Sequence, residues 1–143
     1  MSREPETINL HASAVALDGR GALILGASGS GKSGLALRLM ALGARLVADD
    51  RVLLRRGPEG LLASAPAALS GLIEARGVGL LRAEPLVQAL LAIAVDLDSA
   101  PEARMPHPRE ITLLDAQLEL ISGRDVPNLD ATLILLLRCG NTR

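Results

Sequence analysis

The stretch Gly26-Ala27-Ser28-Gly29-Ser30-Gly31-Lys32-Ser33 decides how the rest of the chain is read. It satisfies the pattern G-x-x-x-x-G-K-[ST] in full. Taken as composition alone it would be a flexible glycine–serine turn. At average residue usage, its four fixed positions arise by chance in roughly one chain of this size in two hundred. The flanks narrow the reading further. "GALILG" leads in with the character of a buried strand. "SGLALRLMALGA" leads out with Leu35, Leu39 and Leu42 at helical spacing and Gly43 as a stop signal. Strand, glycine loop and helix in that order gather backbone N–H groups and a helix N-terminus around one point, which is an anion site. Residues 26 to 33 are therefore the expected nucleotide-phosphate contacts. Ser33 would meet Mg²⁺, and Lys32 would meet the β- and γ-phosphates.

Lys32 is the only lysine among fifteen basic side chains. An ammonium is a compact charge on a flexible stem, whereas the guanidinium is a broad planar fork that cannot sit inside such a loop. That accounts for one lysine in a chain that otherwise uses arginine.

Outward from the loop, strands dominate. "ETINLHASAVALDG" alternates loosely and ends on a turn signal, so it reads as a strand carrying His11. "RLVADDRVLLRR" gives a strand ending at Asp49-Asp50 and a second one after it. "GPEG" is a turn before the return strand "LLASAP". "ALSGLIEARGVGLL", with glycines at 71, 77 and 79, is a loop-bounded element of unassigned type. "LVQALLAIAVDLD" reads as a buried strand, with a helix as the alternative. "SAPEARMPHPRE" must be a loop or extended arm. "ITLLDAQLELISG" is strand material, and "NLDATLILLLRCG" is a terminal helix with Asn128 or Asp130 near its N-cap. The fold class expected is α/β, mostly strands, in one domain over 1–143.

Phosphoryl transfer needs an acid for Mg²⁺ and a second to take a proton from the nucleophile. Two apolar runs end in aspartates, at Asp49-Asp50 and at Asp96 and Asp98, and either could serve. Isolated strand-end aspartates usually cap turns. The adjacent pair is different, because two neighbouring carboxylates repel unless a donor or cation compensates. Glu74, with Arg76 two positions on, is either a structural ion pair or a functional acid.

Composition excludes much else. Hydrophobic residues make up 49% of the 143, yet none is Phe, Tyr or Trp, so stacking on exposed bases is impossible. The same lack leaves adenine only aliphatic neighbours, which predicts weak discrimination among nucleotide bases. With a net charge of −1 there is no basic face for nucleic acid or for an anionic membrane. A single cysteine, Cys139, fits a reducing compartment. No apolar run approaches the ~20 residues of a bilayer helix, and the first residues lack a signal pattern. The expected location is cytoplasmic.

"GASGSGKS", "RLVADDRV" and "GLIEARGVGL", in that order, together with His11, resemble the catalytic domain of bacterial HPr kinase/phosphorylase. The likeness runs over most of residues 6–125. It implies a P-loop fold akin to the nucleotide domain of phosphoenolpyruvate carboxykinase. It implies an enzyme that uses ATP and Mg²⁺ to phosphorylate a serine of HPr, the phosphocarrier protein of the sugar phosphotransferase system. It further implies reversal by inorganic phosphate to give pyrophosphate, and a hexamer. By position, the resemblance makes Asp50 the proton acceptor, with Asp49 beside it, and gives Ser33, Glu74 and Asp49 to Mg²⁺. His11 becomes an active-site residue and Arg104 the arginine used in dephosphorylation. Gly123 and Arg124 match the loop that contacts substrate in phosphorolysis. The departures are Gly34, where an acid often follows the loop, and the expected absence of the family's N-terminal regulatory domain, as in short proteobacterial forms. Two other readings stand beside this one: a P-loop kinase with a different substrate, and a nucleotide-sensing module without transfer.

Overall fold

A computed structural model describes residues 6–140; the ends of the domain expected over 1–143 lie outside them. β1 (Thr7–Leu17) turns tightly into β2 (Arg20–Leu25) through Asp18 and Gly19, whose φ angles of 52° and 79° suit a two-residue hairpin. The phosphate loop follows, then α1 (Lys32–Ala41). β3 (Arg45–Ala48), β4 (Arg51–Gly57), β5 (Gly60–Ser64), β6 (Leu72–Ala75), β7 (Gly79–Arg82) and β8 (Gln88–Asp96) come next. β9 (Arg109–Leu113), β10 (Ala116–Ser122) and α2 (Leu129–Cys139) complete the chain.

The segment of unassigned type is the β6–β7 hairpin, a two-stranded sheet of its own. The other strands form an eight-stranded sheet in the order β2-β1-β4-β5-β8-β10-β9, with β3 beside β1. A parallel pairing of β2 with β8 brings its two halves face to face. One half is β3-β1-β2-β8-β10-β9. The other runs through the first half of β1, β4, β5 and the start of β8. β1 and β8 therefore belong to both.

Alternation along the shared strands separates two cores. Val15, Leu17, Ile24, Ile93 and Val95 face the helices, meeting Leu35 and Leu39 of α1 and Leu133 and Leu137 of α2. Ala14, Ala16, Leu23 and Ala94 face the second half-sheet, meeting Val52, Leu54, Leu61 and Ala63. Of the fifteen buried residues in this inner layer seven are alanine, which lets the half-sheets approach closely without any aromatic filling.

α1 ends in a Schellman motif. Ala44 N–H donates to Leu39 O at 3.0 Å and Gly43 N–H to Met40 O at 3.1 Å, with Gly43 at φ 112°. Leu42 is consequently the C-cap and 43% exposed, rather than a third apolar residue of the helix face. Asn128 is the N-cap of α2 and Asp130 stands in its first turn, but no side-chain capping bond is made by Asn128.

β3 and β4 lie end to end against β1. Ala14 faces Ala48 and His11 faces Arg51, so Asp49 and Asp50 fall between them, opposite Ser13 and Ala12. The strand ends at Ala48, one residue before the aspartate pair rather than on it.

Candidate functional site

β2 delivers Gly26 at the C-terminal edge of the sheet, and the chain then wraps into α1. Ser30 N–H donates to Ala27 O at 3.0 Å, which closes the loop on itself. Gly26 has φ 154°, a form that other residues rarely adopt, and a Cβ there would crowd Ser30 and come within 3.3 Å of Leu97 Cβ. Ser30 Oγ is buried without a hydrogen-bond partner. Lys32 is only 7% exposed, and its Nζ donates to Gly26 O at 2.8 Å and Ala27 O at 3.0 Å. Among the described residues no carboxylate pairs with it. A buried ammonium with no counter-charge is costly, and the free energy of that arrangement favours an incoming anion. The first turn of α1 carries no acid to oppose one.

The aspartate pair is split by backbone geometry. Arg51 N–H donates to Asp49 O at 2.8 Å, and Asp50 has φ 68°, the positive-φ form of a three-residue γ-turn. This strained turn sends the two side chains to different places. Asp49 is 4% exposed. Its Oδ1 accepts from Ser13 Oγ at 2.6 Å and Ser33 Oγ at 2.8 Å. Its Oδ2 accepts from Ser33 Oγ at 3.0 Å and from Glu74 N–H at 3.1 Å. These donors offset both burial and the neighbouring charge. Asp50 is turned out to solvent, with Oδ1 3.3 Å from His11 Nε2.

These groups line one cleft of about 380 Å³, which holds His11, Ser13, Lys32, Ser33, Asp50 and Glu74. Ser28, Gly29, Gly31, Gly34, Leu37 and Arg76 complete its lining. Glu74 is on β6 and Arg76 on the hairpin turn; among the described residues they form no ion pair. Ser33, Asp49 and Glu74 provide hard oxygen donors, the chemistry Mg²⁺ takes. Mg²⁺ is usually held by one or two carboxylates plus substrate phosphates, not by an all-protein cage. The donor set fits that ion, and among the described residues no cluster of three or more His, Cys, Asp or Glu offers such a cage.

Arg104 is not brought to the cleft; it is exposed on the loop between β8 and β9. Gly123 and Arg124 are bound to the end of β8 and the segment after it, through Gly123 N–H to Asp96 O at 2.9 Å and Arg124 N–H to Ser99 O at 3.0 Å. Ser13 was not anticipated from the sequence. Its signal is a lone hydroxyl among the buried Ala and Val of β1, two residues from His11 and thus on the same face. Asp98, in the sequence one of two strand-end acids of its run, accepts at Oδ2 from Ala27 N–H at 2.9 Å.

Fold and site together define a P-loop domain whose loop serine is tethered to a buried aspartate, with a second aspartate free beside a histidine. The model of the HPr serine kinase C-terminal domain matches residues 4–88, and the chain belongs to that family. HPr kinase/phosphorylase of Listeria welshimeri is 44% identical over 89 residues, covering 62% of this chain and 28% of the relative. The protein of the same name from Caldanaerobacter subterraneus is 46% identical over 80 residues, 55% of this chain and 26% of that one. The chain thus spans little more than a quarter of the length of these relatives. The structure of the HPr(Ser) kinase/phosphatase from Coxiella burnetii superposes with a TM-score of 0.77 at 25% identity, over 92% of this chain and 94% of that one. Among the described residues no helix is long and apolar enough to cross a membrane.

Proposed function

We propose that this domain transfers the γ-phosphoryl group of ATP to a serine hydroxyl of HPr, with Mg²⁺, and runs the reverse phosphorolysis at the same site. The observation that carries the reading is the split pair: Asp49 bound to the loop serine, Asp50 held outward into the same cleft beside His11.

The residues then divide the work. The loop amides of residues 26–33, Lys32 and the N-terminus of α1 bind and orient the polyphosphate. Ser33, Asp49 and Glu74 are the residues that would hold Mg²⁺, which supplies charge neutralisation on the phosphoryl oxygens. Asp50 accepts the serine proton as the new Oγ–phosphorus bond forms and the bond to the ADP oxygen breaks. His11, against Asp50 Oδ1, fixes the direction of that carboxylate. In reverse, an oxygen of inorganic phosphate attacks the phosphoserine phosphorus. The phosphorus–Oγ bond breaks, Asp50 passes to the serine oxygen the proton that the attacking phosphate gives up, and pyrophosphate leaves. Arg104 is assigned to this direction, its guanidinium matching the phosphoserine charge. Its place on an exposed loop outside the cleft means that it would have to reach in with substrate bound, or reach across to a second copy. A hexamer and a cytoplasmic setting belong to the same proposal.

The test is label transfer from [γ-³²P]ATP to purified HPr, run backward with phosphate on phosphorylated HPr. Nucleotide binding without transfer in either direction would refute the kinase reading and leave a sensing module. Transfer to other acceptors but not to HPr would refute the substrate.

A further inference from the structure

Asp98 lies two residues past the end of β8, the strand that runs parallel to β2 with Asp96 opposite Leu25. The exit of β8 therefore lies beside the entry of the phosphate loop. Leu97 N–H donates to Leu25 O at 2.9 Å, and Asp96 Oδ1 accepts from Asp98 N–H at 2.9 Å. Asp96 is thus the turn residue here, and the Asp98 carboxylate is left for another partner. That partner is Ala27 N–H, seventy-one positions away in sequence, at 2.9 Å.

The amide of Ala27 and the carbonyl of Gly26 are one peptide unit. The unit is trans, so its N–H and C=O point in opposite directions. On the carbonyl side, Gly26 O accepts from Lys32 Nζ at 2.8 Å. An anion holds one edge of this peptide and a cation the other. Reversing the peptide would set Gly26 O against the carboxylate and the N–H against the ammonium, two repulsive contacts in place of two bonds. Aligned in this order, the two bonds also polarise one another.

We infer that Asp98 is a positioning residue of the phosphate site, which fixes the Gly26–Ala27 peptide and through it the place of Lys32. With that peptide fixed, the lone lysine finds carbonyl oxygens at both Gly26 and Ala27 and is pre-set for phosphate. Without it, the buried ammonium loses an acceptor and the loop must spend binding free energy on reordering.

The inference rests on the phosphate-loop reading above, and calorimetric titration of Mg·ATP into the full chain separates the two. Asp98→Ala is expected to bind about tenfold more weakly, the scale of one charge-assisted hydrogen bond. Asp98→Asn keeps a carbonyl acceptor and should stay within about threefold of the unsubstituted chain, a rescue that loss of packing would not produce. Asp98→Ser, one atom shorter, takes the place of the alanine variant if that one does not fold. Equal binding by Asp98→Ala and the unsubstituted chain overturns this inference alone. So does an Asn variant that falls as far as Ala. No ATP binding by the unsubstituted chain overturns the phosphate-loop reading as well.

Discussion

Removing the Asp49 side chain sets two electrostatic effects of opposite sign against each other. Asp49 adjoins Asp50, and relief of their repulsion would stabilise the fold. The turn sends the two side chains apart and Asp50 is 65% exposed, so solvent screens that relief to about 1 kcal/mol. Against it stand bonds from Ser13, Ser33 and Glu74 N–H, all at 3.1 Å or less. Each hydrogen bond to a charged group contributes about 1.5–3 kcal/mol. The two hydroxyls can turn to each other or to water in Asp49→Ala, but the Glu74 amide on a short hairpin has fewer substitutes. The net expectation is a loss of about 3 kcal/mol, comparable to breaking other buried charged networks. For a domain of this size that is a fall of about 10 °C in Tm. With no Trp or Tyr in the chain, the assay is urea unfolding followed by far-ultraviolet circular dichroism. Asp49→Asn keeps one accepting oxygen and should fall between. An Asp49→Ala midpoint at or above that of the unsubstituted chain, with the same m value, would refute the network and restore repulsion as the larger effect.

Four other outcomes are expected. Lys32→Arg should lower phosphoryl transfer at least tenfold although charge is kept, because Nζ occupies a buried site between two carbonyls that a planar fork does not fit; radiolabel transfer to HPr reads this directly. Asp50→Asn should keep ATP affinity within about twofold in a calorimetric titration while transfer falls about a hundredfold or more, the range of a lost general base. Gly26→Ala puts a Cβ at φ 154° against Ser30 and 3.3 Å from Leu97 Cβ; it should cost about 1–3 kcal/mol in urea unfolding and abolish detectable ATP binding. Gly71→Ala puts a Cβ 2.8 Å from the backbone oxygen of Ala83 at φ 76°; a similar loss of about 1–3 kcal/mol should appear in urea unfolding, and an unchanged midpoint would show that the hairpin base can shift freely.

The phosphate loop, its flanking strand and helix, and the aspartate pair were legible because each rests on local chemistry: glycine geometry, apolar period and adjacent charge. The β6–β7 hairpin was not. Its residues "LIEARGVGLLR" bury only Ile73 and Ala75, too few positions to set an alternation. The division of labour between Asp49 and Asp50 came only from the family resemblance, since in the residues themselves identical side chains are separated by one backbone angle. Ser13 and Asp98 reach the site through pairings 36 and 71 positions apart. No spacing rule carries such contacts; they follow from β1 lying along β3 and β8 along β2. Asp96, weighed as a strand-end acid, proved to be the turn residue that such aspartates usually are.

β1 and β8 run through both halves of the sheet; β1 carries His11 and Ser13, and the Asp98 anchor follows directly on β8. None of these can shift without disturbing two packed layers at once. Opposite them, Glu74 and Arg76 stand on a hairpin that is a separate sheet. It is rooted by Ile73 in the helix-side core, and its far end leaves Val78 79% and Leu80 69% exposed. The cleft is thus a vice with one fixed jaw and one hinged at its base. Chemistry that needs sub-ångström alignment sits on the fixed jaw. If the proposed protein substrate needs room, the hairpin is where it would be made, since local opening there breaks few buried contacts. Glu74 N–H straps the hairpin to Asp49, so the place of the hairpin and the set of the loop serine depend on the same carboxylate.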